Sequence, residues 1–552
     1  MLREKLISLI AEAIGKAQKS GKLPAVATPD ITIERPQNPE HGDYATNLPL
    51  RLARAINTNP LTIARELVNF IPPSEEIEKV VAAPPGFINF TLNDKWLASQ
   101  VNTILKSGET FGNSAYGKGS SVQVEFVSIN PTGPLHVGHG RGAILGSTLA
   151  NVLAASGYRV EKEYYFNDAG SQMDAFKQSL YARYLQSLGI EKELPENGYH
   201  GSYMIDIAKD IIAEHGDKFR NLPESEAVEK LGEIGVRKVM DQIKEELKLL
   251  RVEYDVWFSE QSLYRNGQYK KVLELLRKDK HLVDKEGATW FVSTALGEDK
   301  DNVVIRSDGS PTYFAADIAY HYNKFIERGF NKVINIWGAD HQGHVFRLKA
   351  AVGAMGINPA QLQIIIHQMV TLKRGGELVR VSKRTGDIIT LREVMDEVGV
   401  DACRYFFLAR SANSQMDFDL ELAKKQSQDN PVYYIQYAHA RIASIMRLAQ
   451  ERHINFNDGD VSRLTAPVEL ILIRRLLQLP EIIEVVTTTL EPHHLAYYAQ
   501  DLATIFHIFY RDCRVVTEDE AITKARLKLV KAVQIVLAKT LNLMSMTAPD
   551  KM

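Results

Sequence analysis

The spacing of apolar residues changes several times along the chain, and each change predicts a different kind of element. An amphipathic helix is predicted at the N-terminus, where apolar residues recur at every fourth position: Leu2, Leu6, Ile10 and Ile14. Strict alternation of apolar and polar residues predicts a strand at 86–92. A loop at 112–117 follows, so residues 1–112 are predicted to form a separate α+β domain.

A strand, a loop, a helix and a second strand are predicted next. The strands lie at 122–127 and 159–165, and the apolar stretch 142–156 between them reads as a helix that Gly157 ends. This succession is a βαβ unit. In open parallel sheets the ligand binds outside the carboxyl ends of the strands, which is where the loop at 130–134 lies.

Two further strands are predicted at 332–337 and 364–366, with a helix between them at 345–355. The parallel sheet therefore resumes after a long insertion at about 170–300. The insertion is predicted to be mainly helical, because apolar residues alternate spacings of four and three: Val236, Met240, Ile243, Leu247 and Leu250.

Beyond residue 430 the apolar spacing is helical almost throughout, with long helices predicted at 467–490, 493–512 and 521–543. The predicted fold class is α/β: a Rossmann-type parallel-sheet catalytic domain, an N-terminal α+β domain and a C-terminal all-α helical bundle. The predicted boundaries are 1–112 for the N-terminal domain, 113–169 and 301–390 for the two halves of the catalytic domain, and 170–300 for the insertion between them. A connecting region follows at 391–428, and the helical bundle occupies 429–552.

Composition narrows the class of protein without deciding its function. Apolar residues make up 45% of the chain, but none of its segments approaches the roughly 20 apolar residues that span a membrane, so no membrane partner is expected. Two cysteines are too few for a disulfide framework or a zinc cluster, which favours a cytoplasmic protein without a structural metal. The 66 basic and 68 acidic residues nearly balance, so charge alone predicts no nucleic-acid partner.

Two histidines flank a glycine in the loop after the 122–127 strand, in the run Pro134-Leu135-His136-Val137-Gly138-His139-Gly140. The predicted helix begins close by, and a helix N-terminus favours anions. Imidazole N–H groups can donate to phosphate oxygens, and Gly138 leaves room for a flat base. The run therefore indicates an ATP site, against the alternative of a Gly-rich turn with two surface histidines.

The glycines of the same stretch also suggest a rival, a dinucleotide-binding loop built on Gly138, Gly140, Gly142 and Gly146. That loop requires the spacing G-x-G-x-x-G and an acidic residue that closes the second strand. The spacing here is different, and a nicotinamide site has no use for paired histidines. We therefore favour the ATP site.

A basic loop, Arg380-Val381-Ser382-Lys383-Arg384-Thr385-Gly386, follows the predicted strand at 364–370. Such a loop by itself is usually a solvated turn. Together with the histidine run at the start of the same sheet, however, it resembles the second of the two signatures of class I aminoacyl-tRNA synthetases, HIGH and KMSKS. The histidine run resembles the first.

Longer runs resemble one family within that class, the arginyl-tRNA synthetases of bacterial type. The run from Glu125 to His139, EFVSINPTGPLHVGH, resembles the family's version of the first signature. Further resembling runs are Phe166–Gly170, Ser307–Tyr313, Ala316–His321, Gly338–His344, Phe509–Val515 and Ala548–Met552. The resemblance covers essentially the whole chain.

The resemblance implies an arginine-tRNA ligase, which activates L-arginine with ATP to arginyl-adenylate, releasing pyrophosphate, and transfers it to the terminal adenosine of tRNA(Arg), releasing AMP. ATP and Mg²⁺ carried by the nucleotide are the implied cofactors. His136, His139 and Lys383 are the implied catalytic residues, and Gly138, Ser382 and Val370 complete the ATP-binding set. The second signature departs from the generic pattern at Arg380, Val381 and Arg384.

Arginine selection requires carboxylates, because a guanidinium is planar, always charged and best met by paired oxygens. By resemblance the candidates are Asp317 and Glu260, with Tyr313 closing the pocket. Tyr313 and Asp317 share a face if their segment is helical. For the α-amino and carboxylate ends of the substrate the candidates are Asn130 and Ser128, with Asp340, His341 and Gln342 nearby.

Binding of tRNA(Arg) is implied at both ends of the chain. Residues 1–112 resemble the domain that contacts the tRNA corner, where Tyr44 could stack on a base and Asn47 could read an edge. The stretch 391–428 would contact the stem. The bundle at 429–552 would bind the anticodon, and its candidate contacts are Tyr437, Tyr510 and Met552. A monomer without a DNA partner is expected.

Two other functions remain open from the sequence. One is a non-catalytic tRNA-binding paralogue, which the retained His136, His139 and Lys383 argue against. The other is a class I synthetase for a different amino acid, which the acids Glu260 and Asp317 argue against because they favour a cationic substrate.

Overall fold

The computed structural model describes residues 2–168, 170–379 and 389–552, and the chain divides into two compact units. The first unit comprises Met1–Glu109, Ile442–Gln478 and Thr504–Val536. The second comprises Thr110–Arg441, Leu479–Ala503 and Leu537–Met552. Among the described residues, every helix is too short or too polar to cross a lipid bilayer.

The first unit begins with an α+β segment around a three-stranded antiparallel sheet of order β1-β3-β2. Its elements are α1 (Leu2–Lys19), β1 (Tyr44–Thr46), α2 (Leu48–Ile56), α3 (Pro60–Phe70), β2 (Ile77–Ala83), β3 (Phe87–Leu92) and α4 (Asp94–Ser107). The predicted apolar face of α1 is buried at Leu6, Ile10 and Ile14, because these residues pack into the core of the unit.

The core of the second unit is a five-stranded parallel sheet of order β11-β10-β4-β5-β6. Its strands are β4 (Ser121–Phe126), β5 (Arg159–Phe166), β6 (Val256–Ser259), β10 (Lys332–Gly338) and β11 (Leu362–His367). The sheet and the flanking helices confirm the predicted α/β class, and four of the five strands lie where the pattern predicted them. The exception is β6, which lies within the stretch assigned to the helical insertion.

Helices and two small sheets surround the parallel sheet. The helices up to the C-terminal region are α5 (Val137–Ala155), α6 (Ser171–Ser187), α7 (Tyr203–His215), α8 (Glu224–Leu249), α9 (Gln261–Arg265), α10 (Gln268–Lys278), α11 (Tyr313–Tyr322), α12 (Val345–Ala354), α13 (Leu391–Val398), α14 (Val400–Leu408) and α15 (Leu420–Lys424). The sheets are β7 (Leu282–Lys285), β8 (Ala288–Phe291), β9 (Asn302–Ile305) and, of order β13-β12-β14, β12 (Val370–Arg374), β13 (Glu377–Leu378) and β14 (Met416–Asp419).

The C-terminal region is helical, as predicted. Its helices are α16 (Pro431–Glu451), α17 (Pro467–Leu476), α18 (Leu479–Thr489), α19 (His493–Asp512) and α20 (Glu520–Leu543). In the first unit, Arg474 of α17 pairs with Asp43 at 2.7 Å and with Asp94 at 3.1 Å, so a helix of this region is bonded to the α+β segment.

Helix α5 approaches strand β4 closely because Gly146 faces the ring of Phe126. A Cβ atom at Gly146 would lie 2.2 Å from the ring, well inside van der Waals contact. We expect Gly146→Ala to destabilise the second unit by about 1–3 kcal/mol, since the added methyl overpacks a buried contact. Differential scanning calorimetry should record a lower melting temperature.

The control for this prediction is Gly15→Ala in α1, where an added Cβ meets nothing within 4 Å. There alanine should stabilise the helix by about 0.5–1 kcal/mol, because it restricts the unfolded chain more than glycine does. A melting temperature for Gly146→Ala equal to that of the unchanged protein would contradict the argument from close packing.

Candidate active site

The predicted site residues lie after the carboxyl ends of strands in the parallel sheet. Phe126 of β4 is in register with Ile336 of β10, and Phe166 of β5 with Ser259 of β6. The chain segments that leave these strands therefore start at one edge of the sheet. They carry the histidine run, Glu260 and Asp340.

The two histidines of the first signature bind the start of α5 through their Nδ1 atoms. His136 Nδ1 accepts from the Gly138 N–H at 3.1 Å, and His139 Nδ1 accepts from the His136 N–H at 3.2 Å. The rings stack with their centroids 3.4 Å apart. Because both Nδ1 atoms accept, the proton of each neutral ring lies on Nε2, which leaves one N–H donor per ring.

Burial keeps these imidazoles neutral. It lowers the pKa of His136, and it lowers the pKa of His139 to about 3, with further lowering by His136 and His367. At pH 7 the pair thus offers two neutral N–H donors beside a helix N-terminus, where a phosphate is stabilised.

The backbone turns sharply between β4 and this motif. Val127 and Ser128 have φ angles of +70° and +45°, and the Ser128 N–H donates to the Phe126 carbonyl at 3.1 Å, which makes a γ-turn at Val127. A β-branched residue at positive φ is strained. Two tyrosine hydroxyls hold the strained segment: Tyr254 donates to the Phe126 carbonyl and Tyr164 to the Ile129 carbonyl, both at 3.0 Å.

This turn places the residues proposed for the ends of the substrate. The Ser128 hydroxyl oxygen accepts from the Tyr165 N–H at 3.1 Å, so the hydroxyl retains its own proton to donate. The Asn130 amide donates to Gln172 at 2.6 Å and is partly exposed. Both side chains are held by neighbouring elements and are oriented before any ligand binds.

Two acids meet near the end of the sheet. Glu260 is 6% exposed and accepts a hydrogen bond from the Tyr165 hydroxyl. Burial raises the pKa of Glu260. The pKa of Asp317 is raised to about 7, chiefly by burial and further by the negative charges of Glu125 and Glu260. None of the described residues forms an ion pair with Asp317 or Glu260, so a cation entering between them would relieve their repulsion.

Four other candidate residues of the site are exposed. Tyr313, the first residue of α11, is 54% exposed and lies four residues before Asp317, so the predicted helical face is confirmed. Asp340, His341 and Gln342 follow β10 in a 3₁₀ segment and are exposed. The Asp340 carboxylate acts on the pKa of His136, which it raises against the effect of burial.

Comparison with known proteins gives full-length matches. The model of the arginyl tRNA synthetase N terminal domain matches residues 4–92. The model of the catalytic domain of tRNA synthetases class I (R) matches residues 100–421, and that of the DALR anticodon binding domain matches residues 435–552. An arginine–tRNA ligase of Dehalococcoides mccartyi is 58% identical over 99% of this chain and 98% of its own. That of Carboxydothermus hydrogenoformans is 49% identical over 100% of both chains. The chain belongs to the class I arginyl-tRNA synthetases.

The fold agrees with this family. The structure of Thermus thermophilus arginyl-tRNA synthetase superposes with a TM-score of 0.79 and covers 100% of both chains at 24% identity. The resemblance to arginyl-tRNA synthetases drawn from the sequence is therefore confirmed. Membership of this class implies the use of ATP, and the anticodon binding domain implies a tRNA substrate.

Several residues that shape the site of this arginyl-tRNA synthetase were not found from the sequence. Tyr165 donates to Glu260, and Asp168 accepts from the Ser259 hydroxyl at 2.6 Å and the Gln261 N–H at 3.1 Å, which fixes the chain on either side of Glu260. Asp168 lies in one of the resembling runs, and that was its only signal.

Arg141 is the third residue missed, and it lies two positions after His139. It is fully buried, and its guanidinium donates to the carbonyls of Gln368 at 2.7 Å, Ser411 at 2.9 Å and Ser414 at 3.0 Å. It thereby ties the helix of the first signature to the segment that enters β12. Val370, proposed for ATP, begins that strand, whereas Ser382, Lys383 and the rest of 380–388 lie outside the described residues.

The residues proposed for tRNA differ in exposure. In the first unit, Tyr44 is only 2% exposed with Arg35 over its ring at 4.3 Å, so the ring is not available to stack on a base. Burial in the antiparallel sheet opposite Phe90 is the reason. Asn47 is partly exposed, and Tyr510 is 40% exposed.

In the second unit Tyr437 and Met552 are accessible. Tyr437 is 37% exposed, and Arg441 both lies over its ring at 4.5 Å and donates to its hydroxyl at 2.7 Å. Met552 is 56% exposed. An arginine held on an aromatic face is a common partner of RNA bases and phosphates.

Proposed function

We propose that this arginyl-tRNA synthetase joins L-arginine to tRNA(Arg) through an arginyl-adenylate formed at the edge of its parallel sheet. The observation that carries the proposal is a pair of neutral imidazole donors on a helix N-terminus at the edge of the sheet, together with buried Glu260 and half-buried Asp317, which form no ion pair among the described residues. The first suits ATP phosphates, and the second suits a guanidinium.

In the first step the arginine carboxylate attacks the α-phosphate of ATP, and pyrophosphate leaves. The Nε2–H groups of His136 and His139 would donate to the phosphate oxygens as charge develops on them. Lys383 would neutralise the departing pyrophosphate. In the second step a ribose hydroxyl of the terminal adenosine attacks the adenylate carbonyl, and AMP leaves. Positioning and charge stabilisation suffice for both steps, so a protein nucleophile is unnecessary.

Mg²⁺ would neutralise charge on the phosphates when it is bound with the nucleotide. It takes oxygen ligands and keeps several of its waters, so it needs few protein groups. The exposed carboxylate of Asp340, close enough to His136 to act on its pKa, is an oxygen ligand that fits this requirement.

The arginine would lie with its guanidinium between Asp317 and Glu260 and with Tyr313 at the rim. Its α-amino and carboxylate groups would meet Asn130 and Ser128 on the γ-turn, near Asp340, His341 and Gln342. Support comes from the burial of Glu260 and the half-buried position of Asp317, because an ion pair with a guanidinium is stronger where water is excluded.

Recognition of tRNA would use exposed side chains of both units. Tyr437, Tyr510 and Met552 offer accessible aromatic or apolar surface, and Asn47 offers an amide edge. A contact at Tyr44 would have to involve its hydroxyl or Arg35. We also propose that the protein is a cytoplasmic monomer with domain boundaries at 1–112, 113–169, 170–300, 301–390, 391–428 and 429–552.

The decisive experiment is charging of total bacterial tRNA by the purified protein, with ATP and Mg²⁺ present and each standard amino acid labelled in turn. We expect arginine alone to appear on tRNA. Charging by a different amino acid would overturn the assignment of Asp317 and Glu260 but keep the class. Tight tRNA binding without charging would favour the non-catalytic paralogue instead.

A further inference from the structure

A buried chain of hydrogen bonds links the parallel sheet to the helix that carries Asp317. The side chain of Lys324, in the π-helical turn Asn323–Glu327 that follows α11, is 0% exposed. Its ammonium donates to the Glu125 carboxylate of β4 at 2.6 Å and to the Asn335 side-chain oxygen of β10 at 3.1 Å. The ammonium also lies 4.0 Å from the centroid of the Tyr320 ring.

The chain of hydrogen bonds continues from Asn335 through His321 to the backbone of Asp317, and only one direction of donation is possible. His321 Nδ1 lies 2.7 Å from the Asp317 carbonyl oxygen, which can only accept, so Nδ1 carries the proton. His321 Nε2 therefore accepts from the Asn335 amide at 2.8 Å. Burial lowers the pKa of His321 well below its ordinary value, which is consistent with the neutral ring that this arrangement needs.

A buried ammonium is costly unless a counter-charge and hydrogen bonds compensate for its lost hydration. Lys324 forms an ion pair with Glu125, and its charge also acts on Glu163 and Asp317. Glu163 also pairs with Arg328, whereas Asp317 forms no ion pair with any of the described residues and would gain a direct counter-charge when a guanidinium binds. Burial lowers the pKa of Lys324, but the charges of Glu125 and Glu163 and the hydrogen bond to Glu125 oppose that lowering and favour the ammonium form.

We propose that Lys324 is a positioning residue for arginine recognition: its buried ammonium orients the Glu125 carboxylate and the Asp317 turn, and it favours the ionised form of Asp317 that meets the incoming guanidinium. The inference rests on the proposed function, because it requires Asp317 to receive the substrate guanidinium. Lys324 itself does not touch the substrate.

Several titratable groups face Asp317. Glu125 and Glu260 disfavour its ionised form, whereas Arg347 of α12 and Lys324 favour it. The remaining groups stay uncharged at pH 7, since their pKa values are raised or lowered away from neutrality: Tyr165 on β5, Tyr264 on α9 and His321 on α11. Removal of Lys324 leaves Arg347 as the remaining cation among these facing groups.

The test is the pH dependence of KM for arginine in tRNA charging, for the unchanged enzyme, Lys324→Gln and Lys324→Met. Glutamine keeps donors for Glu125 and Asn335, and methionine fills the same space, so either folded variant is informative. Loss of an adjacent opposite charge raises the pKa of a carboxyl by about one or more. From an Asp317 pKa of about 7, the variant KM should then exceed the unchanged KM roughly fivefold at pH 7 and nearly equal it at pH 9.

Lys271→Met is the matched control. Lys271 also pairs with a carboxylate, Glu327, and lies 5.3 Å from a tyrosine centroid, that of Tyr322, but its side chain is 59% exposed. Its replacement should leave KM for arginine unchanged at every pH. Ionisation of arginine and tRNA changes KM equally for both enzymes, so it does not affect the ratio of the variant KM to the unchanged KM.

The outcomes separate this inference from the function on which it rests. A ratio that falls with rising pH in both variants supports the role of the Lys324 charge. A ratio that is high at every pH, as from general structural damage, overturns it, and so does a ratio of one throughout. If the unchanged enzyme does not charge tRNA with arginine, the proposed function itself fails.

Discussion

Replacing Asp317 with asparagine is expected to raise KM for arginine on the order of 10²–10³-fold, with KM for ATP within about twofold of the unchanged enzyme. Asparagine keeps the shape of the side chain but removes the charge that the guanidinium meets. Truncating one member of a desolvated charge pair costs about 3–4 kcal/mol, and each 1.4 kcal/mol is about tenfold. Steady-state charging kinetics with each substrate varied in turn would measure both constants.

Asp308→Asn is the matched control for this change. Asp308 is exposed in the turn that precedes α11 and accepts from the hydroxyl and the N–H of Ser310, which asparagine can also do. Its replacement should alter KM for arginine by less than about twofold. An Asp317→Asn enzyme that keeps its KM for arginine would show that the guanidinium binds elsewhere.

His139→Ala should lower the rate of adenylate formation on the order of 10²–10³-fold, with arginine binding retained. Removal of one preorganised donor to a developing charge has an effect of this size. The substitution also removes the acceptor of the His136 N–H and the stacked ring, so the first signature loses part of its support. Exchange of labelled pyrophosphate into ATP, with tRNA present, would measure the rate.

The comparison variant here is His200→Ala, because His200 is exposed in the insertion of the same unit. We expect it to retain the unchanged rate of pyrophosphate exchange. If His139→Ala weakened arginine binding as much as Asp317→Asn does, the division between a phosphate end and a guanidinium end would be wrong.

Most of the parallel sheet could be predicted because its strands are short apolar runs bounded by polar loops. Strand β6 was missed because only Val256, Trp257 and Phe258 supply an apolar run, and it follows a long helical pattern. Pairing with β5 in register, from Glu163 with Val256 to Phe166 with Ser259, is what makes this run a strand. A pairing of that kind is a long-range contact and leaves no local signal.

The start of α5 was predicted at 142, whereas the helix begins at Val137. Gly138, Gly140 and Gly142 are poor helix formers, so the pattern places the start too late. The cap is also unusual, since the His136 and His139 imidazoles replace the serine, threonine or acid that normally marks a helix start. The same residues thus form the cap and the proposed phosphate site.

One long helix was predicted at 467–490, and the structure has two, α17 and α18, separated at Leu477 and Gln478. Pro480 lies in the first turn of α18, where its missing N–H costs least, and it disfavours continuation of α17. The apolar spacing continues across the break, because each helix buries apolar residues, among them Leu472 and Ile473 in α17 and Ile483 and Val486 in α18. Periodicity by itself did not reveal the break.

The sequence alone determined the class of fold, the family and the residue types of both signatures, because short-range spacing and motif order are written along the chain. Only the tertiary structure decided the proton positions of His136 and His139, the burial of Tyr44, and the places of Arg141 and Lys324 beneath the site. A charged residue in a sequence normally indicates a position on the solvated surface. Burial, and the hydrogen bonds that compensate for it, arise between segments far apart in sequence, and only folding brings those segments together.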